Sequence, residues 1–176
     1  MLIENSEYLI RRFETNDYHD LYEYLSKKDI YKYEPGDPID IEEAKQLVKE
    51  RSNNDNFLAV ILKSEKKLIG HFSFFQIEPK YISTYEIGYI FNPKYHGKGH
   101  VTKSGKMLIE YYFKNQKMHR IISNCNPENE NSWKLLERLG FKREGYLIKN
   151  IYFRKENERP IWLNTYLYGL LNPYED

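Results

Sequence analysis

The sequence predicts an α+β domain with one mixed, mostly antiparallel sheet of about seven strands flanked by about four helices. Three observations lead there. The 176 residues suffice for a sizeable core, and no linker, internal repeat or low-complexity segment divides 1–176, which therefore read as a single domain. In the early part, strand-like runs follow one another across short turns. In the later part, strand-like and helix-like periods alternate.

The elements follow in order. Residues 8–12 read as a first strand, and 15–27 as a helix with Tyr18, Leu21 and Leu25 on one face. Asp40-Ile41-Glu42-Glu43 has the form of a capping box, with Asp40 as cap and Glu43 three residues later, and opens a helix to about Arg51. Strands at 57–62 and 68–77 flank a turn at Ser64-Glu65-Lys66-Lys67, and 84–91 is another strand. A glycine-bearing loop leads into a helix ending at Lys117, with Val101, Leu108 and Tyr112 on its apolar stripe. A strand at 120–124, a helix at 132–139, and strands at 146–154 and 162–170 complete the chain.

Composition excludes several functions. With 27 Lys and Arg against 26 Asp and Glu, there is no electrostatic case for nucleic-acid or membrane association. No apolar run approaches a membrane span, and the N-terminus lacks a signal-peptide pattern. A single cysteine, Cys125, has no internal partner, so a reducing cytoplasm is the expected location. It sits in the run Ile121-Ile122-Ser123-Asn124-Cys125 and reads as a buried strand residue rather than a nucleophile. The five histidines show no metal-ligand spacing, so no metal is expected.

The most informative segment is Tyr95-His96-Gly97-Lys98-Gly99-His100-Val101-Thr102-Lys103-Ser104, between a strand and a helix. The first backbone N–H groups of a helix have no partner, its dipole is positive there, and glycine permits close approach. We read the segment as a diphosphate cradle. It is not a P-loop, and Thr102 breaks the dinucleotide pattern Gly-x-Gly-x-x-Gly. A second motif, Asn129-Glu130-Asn131-Ser132, precedes a helix that ends at Gly140-Phe141, with Asn129 or Asn131 as its cap.

In this order, about thirty residues apart, the two motifs resemble those of the GNAT superfamily of N-acetyltransferases. The branch most resembled is that of the ribosomal-protein N-terminal acetyltransferases, whose loop usually reads Gln-Gly-Lys-Gly-Tyr-Ala-Thr-Glu-Ala. The resemblance covers nearly the whole chain, including Tyr-x-Tyr-Gly-Leu-Leu at 166–171. His96, Val101, Lys103 and Ser104 depart from the commonest residues.

The resemblance implies a GNAT-like fold and direct acetyl transfer from acetyl-CoA, as co-substrate, to a primary amine of a peptide N-terminus or small molecule. It places the diphosphate among the backbone amides of Gly97, Lys98, Gly99, Val101 and Thr102, with the Lys98 side chain adding charge. Lys103 is expected to make the helix start more positive. Phe91, His96 and His100 join the cofactor set, Asn129 meets the pantetheine arm, and Ser132 lies near the thiol. Lys134 and Arg138, one turn apart, are within reach of the 3′-phosphate.

Glu86 is the candidate base. It lies inside an apolar strand, one strand before the loop, on the face opposite Tyr85, Tyr89 and Phe91. An α-amino group with a pKa of about 7.7–8 is partly neutral already, whereas a lysine-like amine at about 10.4 is neutral about one part in a thousand. Ser132 is the candidate proton source for the departing thiolate, because Leu136 stands where many relatives carry tyrosine. The segment Tyr31-Lys32-Tyr33-Glu34-Pro35-Gly36-Asp37 has the aromatic and acidic character that suits a cationic amine. An exposed edge strand near the C-terminus provides for a homodimer. The alternative readings are a coenzyme A-binding module without transfer activity and a ligand-free interaction scaffold.

Overall fold

The computed structural model describes residues 2–116 and 118–175, so the expected helix end at Lys117 lies outside the described residues. The strands are β1 (Leu2–Glu4), β2 (Tyr8–Arg11), β3 (Phe57–Leu62), β4 (Lys67–Gln76), β5 (Thr84–Phe91), β6 (Arg120–Cys125), β7 (Lys142–Ile151), β8 (Lys155–Glu156), β9 (Arg159–Pro160) and β10 (Leu163–Leu171). The helices are α1 (Tyr18–Leu25), α2 (Ile41–Ser52), α3 (His100–Asn115) and α4 (Glu130–Arg138). Eight strands form one sheet in the order β1-β2-β3-β4-β5-β6-β10-β7, and β8–β9 make a separate ribbon. All neighbours in the large sheet are antiparallel except β5 and β6, which run parallel across the α3 crossover.

The expected α+β class and mixed sheet are present, with eight strands in place of about seven. The addition is β1, three residues long and too short for a periodic signal. The expected helix 15–27 is a 3₁₀ turn at Thr15–Asp17 followed by α1. Asp17 turns its carboxylate back onto the Glu14 N–H at 2.7 Å and pairs with Arg11, which tightens this turn. The capping box at α2 forms as read, with Asp40 accepting from the Glu42 and Glu43 amides and Glu43 accepting from the Asp40 amide.

Each sheet face has its own core. Ile10, Val60, Phe72, Phe74, Ile87 and Phe91 pack beneath α3 and α4, against Leu108, Tyr112, Leu135 and Leu136. Ala59, Ile61 and Leu68 face α1 and α2, against Leu21, Tyr24 and Val48. A register shift between Val60 and Ile61 lets Ile69 and Phe72 lie in one core although three positions apart.

Within the second core, Tyr24 lies 2.6 Å from His71 Nδ1, and Arg51 donates to His71 Nε2 at 3.2 Å. Since guanidinium only donates, Nε2 accepts and the ring proton sits on Nδ1. Burial, and secondarily Arg51, hold the His71 pKa well below its usual 6.5.

Candidate active site

Strands β5 and β6 part company. Their parallel pairing runs from Thr84↔Arg120 to Glu86↔Ile122 and stops, although β5 continues to Phe91 and β6 to Cys125. Side chains bridge the opening. Ser123 Oγ donates to the Ile87 carbonyl at 2.9 Å, and Asn124 Nδ2 donates to Glu86 Oε1 at 2.9 Å. The Tyr89 hydroxyl lies 2.8 Å from Ser132 Oγ. Because strand backbones alternate in direction, and Asn92 N–H points to Ile69 of β4, the N–H and C=O of Tyr89 turn into the fork.

Two helix N-termini flank this fork. The α3 cap is Gly99 at φ +80°, preceded by Gly97 at φ +73°, conformations that glycine adopts without strain. A Cβ added at either would meet no atom within 4 Å, so the concave side of the loop is open. The first intrahelical bond is Lys103 N–H to the Gly99 carbonyl at 3.0 Å. The amides of His100, Val101 and Thr102 therefore precede the helical ladder, and Gly99 has no side chain to cap them. This open cradle of unpaired donors fits a diphosphate. Asn129 caps α4, its Oδ1 accepting from the Ser132 amide at 3.3 Å. That helix closes with Phe141 N–H on the Leu136 carbonyl and Gly140 N–H on that of Glu137.

The predicted cofactor residues divide. Lys98 is exposed, its ammonium 5.6 Å from the centre of the Tyr95 ring. Val101 packs against the α3 core, so its branched side chain turns away from the loop opening. His96 Nε2 donates to the Phe91 carbonyl at 2.9 Å, tying the loop to its strand, and the Phe91 ring is buried against Phe72. His100 Nδ1 lies 2.8 Å from the Tyr8 hydroxyl. Lys134 pairs along its helix with Glu130 at 2.6 Å. The Lys103 ammonium contacts both carboxylate oxygens of Glu7, at 3.0 and 2.9 Å, and its charge still acts at the start of α3, where after burial it joins Lys98 in lowering the His100 pKa.

A cleft of about 170 Å³ runs through the fork. Glu86, Asn124, Cys125, Asn129 and Ser132 line one part of it, and the cleft thus brings together both predicted catalytic residues. Burial pushes the Cys125 thiol up to about 11, which keeps it protonated and unreactive near neutral pH. Leu136 is fully buried in the core and takes no part in the cleft.

The contact of Tyr89 with Ser132 escaped the sequence reading, whereas Glu34 belongs to the segment read as suited to a cationic amine. Tyr89 touches Ser132, with its pKa raised above 10 foremost by burial. Glu34 also lines the cleft, and burial raises its carboxyl from 4.5 to about 7. The aromatic and acidic segment around Glu34 was the available signal, whereas nothing local linked Tyr89 to Ser132, 43 residues away. Among the described residues, no group of three His, Cys, Asp or Glu side chains is placed to hold a metal ion, and no helix is long and apolar enough to cross a membrane.

Known proteins share this fold. The acetyltransferase (GNAT) domain family matches residues 8–142. An N-acetyltransferase of Bacillus subtilis, YnaD, is 39% identical over 172 residues, spanning 97% of each chain. The crystal structure of a GNAT-family acetyltransferase from Bacillus anthracis superposes with a TM-score of 0.88 at 36% identity, covering 98% of this chain and 99% of that one. The ribosomal-protein-S5-alanine acetyltransferase from Vibrio fischeri follows with a TM-score of 0.80 at 26% identity, covering 100% and 99%. With the fork, the open glycine loop and the capped second helix in place, this chain belongs to the GNAT family of N-acetyltransferases.

Proposed function

We propose that this protein transfers the acetyl group of acetyl-CoA directly to a primary amine held in the cleft beside Glu86. The observation that carries the reading is the cradle at Gly97–Gly99, where two left-handed glycines leave open space in front of unpaired helix amides. Acetyl-CoA supplies the activated acetyl thioester. Lys98 and the amides of His100, Val101 and Thr102 hold its diphosphate, while Tyr89 and Asn129 offer polar groups to its amide-bearing arm.

Glu86 orients the acceptor and takes its proton through water, with Asn124 fixing one carboxylate oxygen. Ser132, in contact with the Tyr89 phenol, gives a proton to the departing thiolate, which leaves as the coenzyme A thiol. The protein acts as a homodimer in this reading.

Thermal unfolding with and without acetyl-CoA tests the proposal. Ligand at a hundred times its dissociation constant stabilises by about 2.7 kcal/mol, a melting shift of roughly 5–10 °C for a chain of this size. That shift, followed by acetylation of members of an amine panel, is the expected result. Binding without transfer to any amine makes the protein a coenzyme A-binding module, and no shift at millimolar acetyl-CoA overturns the cofactor site.

A further inference from the structure

We propose that Glu34 selects the acceptor, and that the acceptor is an amine carrying a second positive charge. The inference rests on the acetyltransferase reading only in calling the bound amine an acceptor.

The cleft supplies the first argument. Among its lining residues are two carboxylates, Glu34 and Glu86, and no Lys, Arg or His. Its remaining polar character comes from neutral groups such as Asn126, Asn150 and Asn164. Such a lining attracts cations and disfavours any amine with a carboxylate or phosphate beside it.

The two acids are also differently provided for. Glu86 has a partner in Asn124 and, in the transfer reaction, faces the reacting nitrogen. Among the described residues no hydrogen bond or ion pair reaches Glu34, which is half-buried. A carboxylate partly withdrawn from water without a partner carries a desolvation cost. It is relieved by a proton or by a cation from outside the chain. Its carboxyl, raised to about 7 by burial alone, registers that cost. One ammonium at Glu86 leaves Glu34 still unmatched, so a second cationic group completes the site.

The position of Glu34 is built. Tyr31 donates its hydroxyl to the Leu25 carbonyl at 2.9 Å, and Arg154 donates to the Tyr31 carbonyl at 2.6 Å. Tyr33 donates to the Glu128 carbonyl at 3.2 Å, clamping the segment to the approach of α4. These contacts come from α1, from the segment after β7 and from the segment before α4, and they hold Glu34 at the lip of the cleft.

The test compares 1,5-diaminopentane, pentylamine and 5-aminopentanoate, matched in chain length, by titration calorimetry with and without saturating coenzyme A. Wild-type protein is expected to bind the diamine at least about tenfold more tightly than pentylamine, with 5-aminopentanoate weakest. Glu34→Gln is expected to erase the gap between diamine and pentylamine, and Glu34→Asp to retain part of it. An unchanged affinity for coenzyme A shows that the variants keep the fold. The proposal is overturned if the wild type binds diamine and pentylamine equally, binds none of the three, or if the gap survives in Glu34→Gln. Acetyl transfer is scored separately: diamine binding through Glu34 without turnover leaves this inference standing and removes the enzymatic one.

Discussion

The Tyr89 phenol and the Ser132 hydroxyl lie 2.8 Å apart, joining β5 to the first turn of α4 across the fork. With its pKa raised by burial, Tyr89 keeps its proton at neutral pH and can pass it through Ser132. Tyr89→Phe and Ser132→Ala are each expected to lower kcat by roughly 10²-fold, within the usual range for a positioned proton donor. Because the two act as one unit, the double variant should be little worse than the poorer single one. Steady-state kinetics in which either variant raises KM for acetyl-CoA but spares kcat argue against the relay.

Glu86 has a role that depends on the acceptor. An amine with a pKa of about 10.4 must lose a proton that one near 8 has partly lost already. Glu86→Gln should therefore reduce kcat/KM more for alkylamines than for a peptide α-amine. Equal losses across that series, measured at one pH, count against proton abstraction.

At Gly99, two effects of substitution separate. Alanine at φ +80° costs about 1 kcal/mol in backbone strain, and its methyl group enters the space proposed for the diphosphate. Gly140→Ala, at φ +95° with only an ordinary contact to Leu170, serves as the strain control. Both variants should melt lower than wild type, but only Gly99→Ala should also lose much of the shift produced by acetyl-CoA.

His71 makes the fold sensitive to acid. Its folded-state pKa lies well below 6.5, so the unfolded chain binds a proton that the folded chain refuses. The associated stability is complete above the unfolded value near 6.5 and is lost as pH falls below it. Melting temperatures between pH 7.5 and 5.5 should decline less steeply for His71→Gln than for wild type. Parallel declines rule out His71 as the source.

The sheet edge at β7 bears on the expected homodimer. Ile148 is 72% exposed there, beside exposed Tyr146, Leu147 and Ile151. Sedimentation should give a dimer for the wild type and a monomer for Ile148→Asp. A wild-type monomer at micromolar concentration removes the dimer.

Legibility in the sequence followed local periodicity. β3 and β5 occupy the predicted residues because each is bounded by turn-forming or polar residues and carries a buried face. β7 begins at Lys142, four residues before the predicted start, because nine of its ten residues are exposed and no alternation marks it. The glycine loop and the Asn129 cap were readable because their backbone chemistry is local. Glu34 reaches the cleft, and Tyr89 reaches Ser132, through packing across distant segments: Tyr33 donates to Glu128, 95 residues away, and this contact, with those of Tyr31, holds Glu34 at the lip. The Lys103 ion pair was hidden for the same reason, since its partner Glu7 lies 96 residues earlier.

The fork makes the eight-stranded sheet mechanically two half-sheets. β1 to β5 form one panel and β6, β10 and β7 the other, with three backbone pairs between Thr84↔Arg120 and Glu86↔Ile122 as the seam. Amide exchange normally slows toward the middle of a sheet, yet here the Tyr89 amide, on a central strand, should exchange like one at an edge. An extended ligand lying in the fork takes the place of the missing ladder and locks the panels together, so occupancy should be readable as a slowing of Tyr89 exchange before any acetyl group has moved.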